Sequence, residues 1–106
     1  MGKKSGLAIE IDGFLHEKID LSGGTVTVFT GAGKLRGYYV NTTLSGVVTD
    51  VLDDTTEMIE IPGLTSGPQF VPCGDLEFLT SLVVTPRAGM TGSITIVYNP
   101  YKKSVT

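Results

Sequence analysis

The chain is poor in the residues that do chemistry. It has one Cys, one His and no Trp. One cysteine excludes an intrachain disulfide framework, and one histidine with one cysteine excludes His-cluster and Cys-based metal sites. The same count rules out metal-dependent cupin chemistry, which needs several His ligands. Charged residues make up only 18% of the 106 residues, too few for a charged coiled coil, while 41% hydrophobic content is too high for a disordered tail. No apolar run approaches the roughly 18 residues of a membrane span. Residues 7–15 contain Glu10, Asp12 and Gly13, which breaks any signal-peptide core after the basic start, and Gly6 stands where a myristoylation pattern needs Ser or Thr. The expectation is a chain made in the cytoplasm with no membrane partner.

What the chain has in abundance is β-branched side chains: 14 Thr, 11 Val and 7 Ile, with 14 Gly to turn between them. The length allows one domain, residues 1–106. Its charges are unevenly placed. Lys3, Lys4, Lys102 and Lys103 lie in two short basic tails, residues 1–6 and 102–106. The body between them holds 4 basic residues against all 11 acids, a net charge of −7. Such a body repels phosphate backbones, so direct nucleic-acid binding is not expected. The four lysines read either as solubilising charges on the tails or, as the candidate partner contacts, as reaching for an acidic surface.

Period-2 alternation broken by Gly, Pro or Asp every 8–14 residues predicts an all-β domain. Strands are expected at 7–11 and 25–30. A third follows at 34–41, with Leu35 and Tyr39 on one side and Tyr38 and Val40 on the other. Gly31-Ala32-Gly33 reads as the hairpin turn joining these last two. Residues 14–21 fit neither period and read as an irregular strand or one helical turn. Further strands are expected at 46–52 and 56–61, the latter with Met58 and Glu60 opposite Glu57, Ile59 and Ile61. Residues 64–75 read as a loop with a short edge segment at 69–71, because proline cannot donate to a ladder. The longest apolar strand is expected at 76–85, and 92–99 alternates cleanly. Ile94, Ile96, Leu82 and Val84 are the expected core. The strand 92–99 carries no Lys, Glu or internal Pro to guard an edge, so it must be central or covered. About eight short strands in one domain predict a β-sandwich, jelly-roll-like by preference, with an immunoglobulin-like sandwich as second choice.

Motifs that would carry chemistry fail on spacing. Gly31-Ala32-Gly33-Lys34 lacks the Gly at 28 and the Ser or Thr at 35 of a phosphate loop, and the dinucleotide fingerprint fails at Gly37, one place late. Asn41-Thr42-Thr43 fits a glycosylation sequon but reads better as a strand-end turn. Asp50, Asp53, Asp54 and Glu57 offer carboxylates without the glycine of a calcium loop, and read as solvated turn acids. His16 and Cys73 have no local signature of a base and nucleophile. Among Tyr38, Tyr39, Tyr98 and Tyr101, alternation sends at least two inward, which thins any aromatic sugar platform. No catalytic residue, metal or cofactor is assigned.

One resemblance stands beside this reading. Tyr39-Val40-Asn41-Thr42-Thr43-Leu44-Ser45, Glu60-Ile61-Pro62-Gly63, Thr80-Ser81-Leu82-Val83-Val84-Thr85-Pro86 and Thr91-Gly92-Ser93-Ile94-Thr95-Ile96-Val97-Tyr98 resemble segments of small β-rich structural proteins of tailed bacteriophages, of the head decoration or head-fibre base type. The resemblance spans residues 35–101, and residues 1–34 have no counterpart in it. It implies a non-enzymatic virion subunit, a capsid decoration or cement protein with no catalytic residues. Its implied partner is the major capsid protein or another virion protein, bound as a repeated homo-oligomer, by preference a trimer. A carbohydrate- or receptor-binding β-sandwich module is the alternative.

Overall fold

The computed structural model describes residues 14–101. Eight strands follow in order: β1 (Leu15–Asp20), β2 (Val26–Thr30), β3 (Gly33–Val40), β4 (Val48–Asp53), β5 (Thr56–Pro62), β6 (Gln69–Phe78), β7 (Ser81–Pro86) and β8 (Ser93–Pro100). No helix occurs among the described residues. Two antiparallel sheets form, ordered β1-β8-β3-β6 and β2-β7-β4-β5. Four of the pairings join β1 to β8, β2 to β7, β3 to β6 and β4 to β5. The chain is thus one long antiparallel ribbon, closed at the β4–β5 hairpin and rolled so that β3 also meets β8 and β4 also meets β7. This is the jelly-roll order. The immunoglobulin-like alternative, whose first two strands share a sheet, does not have it.

Alternation supplies the core. Ile94 and Ile96 on β8, Leu82 and Val84 on β7, Val51 on β4, Leu35 and Val40 on β3, and Phe78 on β6 are fully buried between the sheets. The expected core residues all lie there. Phe29 meets Phe78 edge-on at 6.4 Å between ring centroids, a geometry that aromatic quadrupoles favour. Leu21, Leu44 and Met90, from three connecting loops, complete the buried cluster. The strand expected at 92–99 is central, held between β1 and β3 as β8. The ambiguous stretch at 14–21 forms β1, while the strand expected at 7–11 lies outside the described residues.

Several expectations need correction, and each has a physical reason. Gly31-Ala32-Gly33 is not a hairpin turn, because β2 and β3 lie in different sheets. A tight glycine link reads the same whether the chain folds back in plane or steps across the sandwich. The face assignment along β3 breaks because its register slips between Leu35 and Gly37. The extra residue resets the alternation, so Leu35, Tyr38 and Val40 all point inward while Tyr39 points out. Gly37 has to lack a side chain: a Cβ there would lie 2.5 Å from both the Phe70 ring and the Val71 carbonyl oxygen. A similar slip sits between Val51 and Leu52, where Glu57 rather than Met58 faces Leu52.

The loop expected at 64–75 is largely strand, since β6 runs ten residues through Pro72. β6 is an edge strand, and an edge tolerates a residue that cannot donate. Gly74 (φ 67°) and Asp75 (φ 56°) turn left-handed there, and the ladder to β3 skips from Leu76 to Pro72. The long apolar strand expected at 76–85 is two strands, divided after Phe78, with β6 in one sheet and β7 in the other.

Ile96→Ala should cost about 2–5 kcal/mol of stability, as large-to-small changes in packed cores do. Thr95→Ala, on the outer face, loses one hydrogen bond from the Asn41 side chain and should cost about 1 kcal/mol. Urea denaturation of both variants checks this, and equal losses would contradict the inward facing of Ile96.

Candidate functional site

The connections gather at two opposite ends. At one, the turns β2–β3, β4–β5 and β6–β7 lie together: the Gly31 amide donates to the Thr80 carbonyl at 2.8 Å, and the Asp54 amide to the Ser81 carbonyl at 3.0 Å. Lys3, Lys4, Lys102 and Lys103 lie outside the described residues, but the points from which their segments depart are described. Leu15 pairs with Tyr98 at the start of β1, and the Tyr101 amide donates to the Ala32 carbonyl at 3.0 Å. Both segments therefore leave from the same end. Among the described residues, four of the eight exposed large apolar side chains stand there: Phe14, Leu15, Leu79 (66% exposed) and Tyr101. Phe14 is held against the outer face by the Arg36 guanidinium, 4.7 Å from its ring centroid, and Arg36 is bound in turn to Asp75 at 3.1 Å. The Tyr101 hydroxyl donates to Glu77.

The acids expected as one group divide into two. Asp53 accepts from the backbone amides of Leu79 (2.8 Å), Thr80 (2.8 Å) and Ser81 (3.2 Å), so it fastens the end of β4 to the β6–β7 turn. Those amides hold its carboxyl below the ordinary value. Asp50 and Glu57 instead meet Glu60, with carboxylate oxygens within 4.8 Å of one another. Asp50 and Glu60 are directly opposed on β4 and β5, and the slip after Val51 brings Glu57 to the same outer face. Arg87 neutralises much of this, through Nε and Nη2 to Asp50 at 2.9 and 3.0 Å and Nη2 to Glu60 at 3.4 Å. Hydrogen bonding to Arg87 lowers the Asp50 carboxyl, and the bond to Glu60 raises that of Glu57. Asp54 remains in the β4–β5 turn at φ 59°. Glu60 and Arg87 were missed in the sequence because only the β4–β5 and β4–β7 registers bring them to Asp50.

His16 and Cys73 are not brought together. They lie on β1 and β6, the opposite edges of one sheet, roughly 14 Å apart at the usual strand spacing. Burial raises the Cys73 thiol, the reverse of what an activated thiolate needs. Asn41 closes the end of β3, its amide donating to the Ser93 carbonyl at 3.0 Å and its side chain to Thr95 at 2.9 Å. Tyr38 and Tyr98 are buried, while Tyr39 lies outside against Phe70 at 4.6 Å between centroids. Tyr101 sits at the other end of β3 from Tyr39, so the two exposed tyrosines do not share a platform. No helix among the described residues is long and apolar enough to cross a membrane.

No family model, curated protein or solved structure matches the chain. The end that carries both tail roots is the feature that its geometry singles out.

The Asp53 carboxyl is lowered on folding, so its contribution is present above the ordinary value of 3.8 and is lost as pH falls through the folded value. Asp53→Ala should lower the melting temperature at neutral pH, and the difference from the unsubstituted protein should shrink below that range. Arg87→Ala should likewise destabilise most at neutral pH, where the Asp50 carboxylate loses the cation that lowers it, and less as pH falls through the folded Asp50 value. Thermal melts across pH measure both, and a penalty independent of pH would contradict these roles.

Proposed function

We propose that the protein is a non-enzymatic structural subunit of a virion, a decoration or cement subunit seated on a repeated capsid lattice. The observation that carries this reading is the shared exit of the two lysine-bearing segments beside Phe14, Leu15, Leu79 and Tyr101. A single end then offers apolar contact and roots both lysine-bearing segments toward one surface, while the described residues 14–101 hold 4 basic residues against 9 acids, a net −5. The complementary partner is an acidic surface of the major capsid protein or of another virion protein, encountered after synthesis in the host cytoplasm. The jelly-roll order agrees, since viral capsid domains use it. Lectin domains use it too, and fold alone does not select a function. The phage-like strands of residues 35–101 weigh toward the virion.

A second reading, a carbohydrate- or receptor-binding module, rests on the exposed Tyr39–Phe70 pair on the outer face of β3 and β6. Glycan binding abolished by Tyr39→Ala would favour it.

Quantitative mass spectrometry of gradient-purified virions should find this chain in a fixed ratio to the major capsid protein. Deleting residues 1–5 should leave the fold intact, weaken particle binding and flatten its dependence on salt, because screening acts on the charges removed. Absence from purified particles, or equal binding of the truncated chain at every salt concentration, would overturn the reading or the role of the tails respectively.

A further inference from the structure

We infer that the outer edge of β2 pairs with β2 of a second copy of this chain, joining two sandwiches through one continuous eight-stranded sheet. The sheets end in four edge strands, β1, β6, β2 and β5. An edge presents unpaired amides and carbonyls, and proteins blunt it with charge, proline or distortion. β1 carries His16, Glu17, Lys18 and Asp20 in six residues. β5 carries Glu57, Glu60 and Pro62. β6 carries Pro72, Asp75 and Glu77, with left-handed residues at Gly74 and Asp75. β2 reads Val-Thr-Val-Phe-Thr, with neither charge nor proline, and the uncharged, proline-free run extends from residue 21 to residue 33. Its one guard is the slip between Thr27 and Phe29. Among the described residues nothing pairs with its outer side, and Thr25, Thr27 and Thr30 are exposed.

A second copy fits this edge for two reasons. The first is charge: the described residues 14–101 carry 4 basic residues against 9 acids, a net −5, so like charge opposes most contacts between two copies, and β2 brings no acid to the junction. The second is the order of its side chains. Thr25-Val26-Thr27-Val28-Phe29-Thr30, set antiparallel to itself about a twofold axis, places Thr25 opposite Thr30 and Val26 opposite Phe29, with Thr27 and Val28 meeting at the axis. The first two pairs are favourable cross-strand partners. Val26 and Phe29 both pack toward the core, because the slip at Val28 resets the alternation, so the Val26–Phe29 pair meets on the inner face and Thr25 and Thr30 meet on the outer one. Such a contact uses the same patch on both copies and closes after two. It replaces the trimer expected from lattice symmetry, and it stands apart from the virion reading because it needs no particle.

Sedimentation equilibrium of the full chain over a concentration series tests it. The expected mass is twice 11.2 kDa. Thr27→Lys and Thr30→Lys should each weaken the dimer at least about tenfold by adding an edge charge, while His16→Lys on the β1 edge should leave it unchanged. Circular dichroism checks that each variant folds. Should Thr27→Lys unfold the chain, Thr30→Lys decides, together with amide exchange of the unsubstituted protein, in which β2 amides should gain protection as concentration rises. A monomer at every concentration, a trimer, or a dimer indifferent to the β2 variants would overturn the inference.

Discussion

Each sheet is a two-faced object with one face to hide, and the molecule is organised by the contact of those two inner faces. Leu35, Val40 and Phe78 of one sheet meet Val51, Leu82 and Val84 of the other, with Ile94 and Ile96 on the central strand. Close approach at the margins keeps that contact continuous. Gly33 lets the Phe78 ring, Asn99 and Pro100 come within the space a Cβ would fill, and Gly63 does the same for the backbone of Gly46 and Val47. Glycine at these two places works by what it omits, since a side chain would push a strand or a loop off the core.

The outer faces are governed by a different requirement. Surface ion pairs contribute only about 0–1 kcal/mol each, so their positions matter more than their strengths. Arg36 is the residue added to β3 at its slip, and Asp75 is one of the two left-handed residues at the matching kink of β6. Their ion pair spans the irregularity. Arg87 spans another sheet's join, reaching Asp50 on β4 and Glu60 on β5. Asp53 ties β4 to the β6–β7 turn. Arg36 and Asp53 thus fasten places where the regular ladder has stopped supplying hydrogen bonds, while Arg87 offsets the charge of two carboxylates that the ladder sets side by side.

That division accounts for what could be read before the structure. Strand identity and the inward facing of Ile94, Ile96, Leu82 and Val84 were legible, because strict alternation on β7 and β8 is a local property. The all-β class and jelly-roll choice followed from strand spacing. The facing of β3 and β5 was not legible, since one inserted residue reverses every later side chain and leaves no mark on composition. Neither was the step from β2 to β3 across the sandwich, nor the extension of β6 through Pro72, whose tolerance depends on being at an edge. The lysines were visible as tail residues, but the shared departure point of their two segments is a consequence of β1 pairing with β8. The Arg87 network was invisible because its members come from three strands whose registers are set by the whole sheet.

The pairing of β1 with β8 also decides how the molecule bears load. The first and last described strands are antiparallel neighbours, and the start of β1 and the end of β8 lie at one end. A force drawing those ends apart acts across the ladder and opens its hydrogen bonds one after another, the geometry of a zip. A force applied to both ends together runs along the strands instead, and β8 shares it with β3 through a second ladder. Two ends fixed side by side on one support experience only the second kind of pull, so the arrangement that is weak against tearing becomes the sound one for a tethered body.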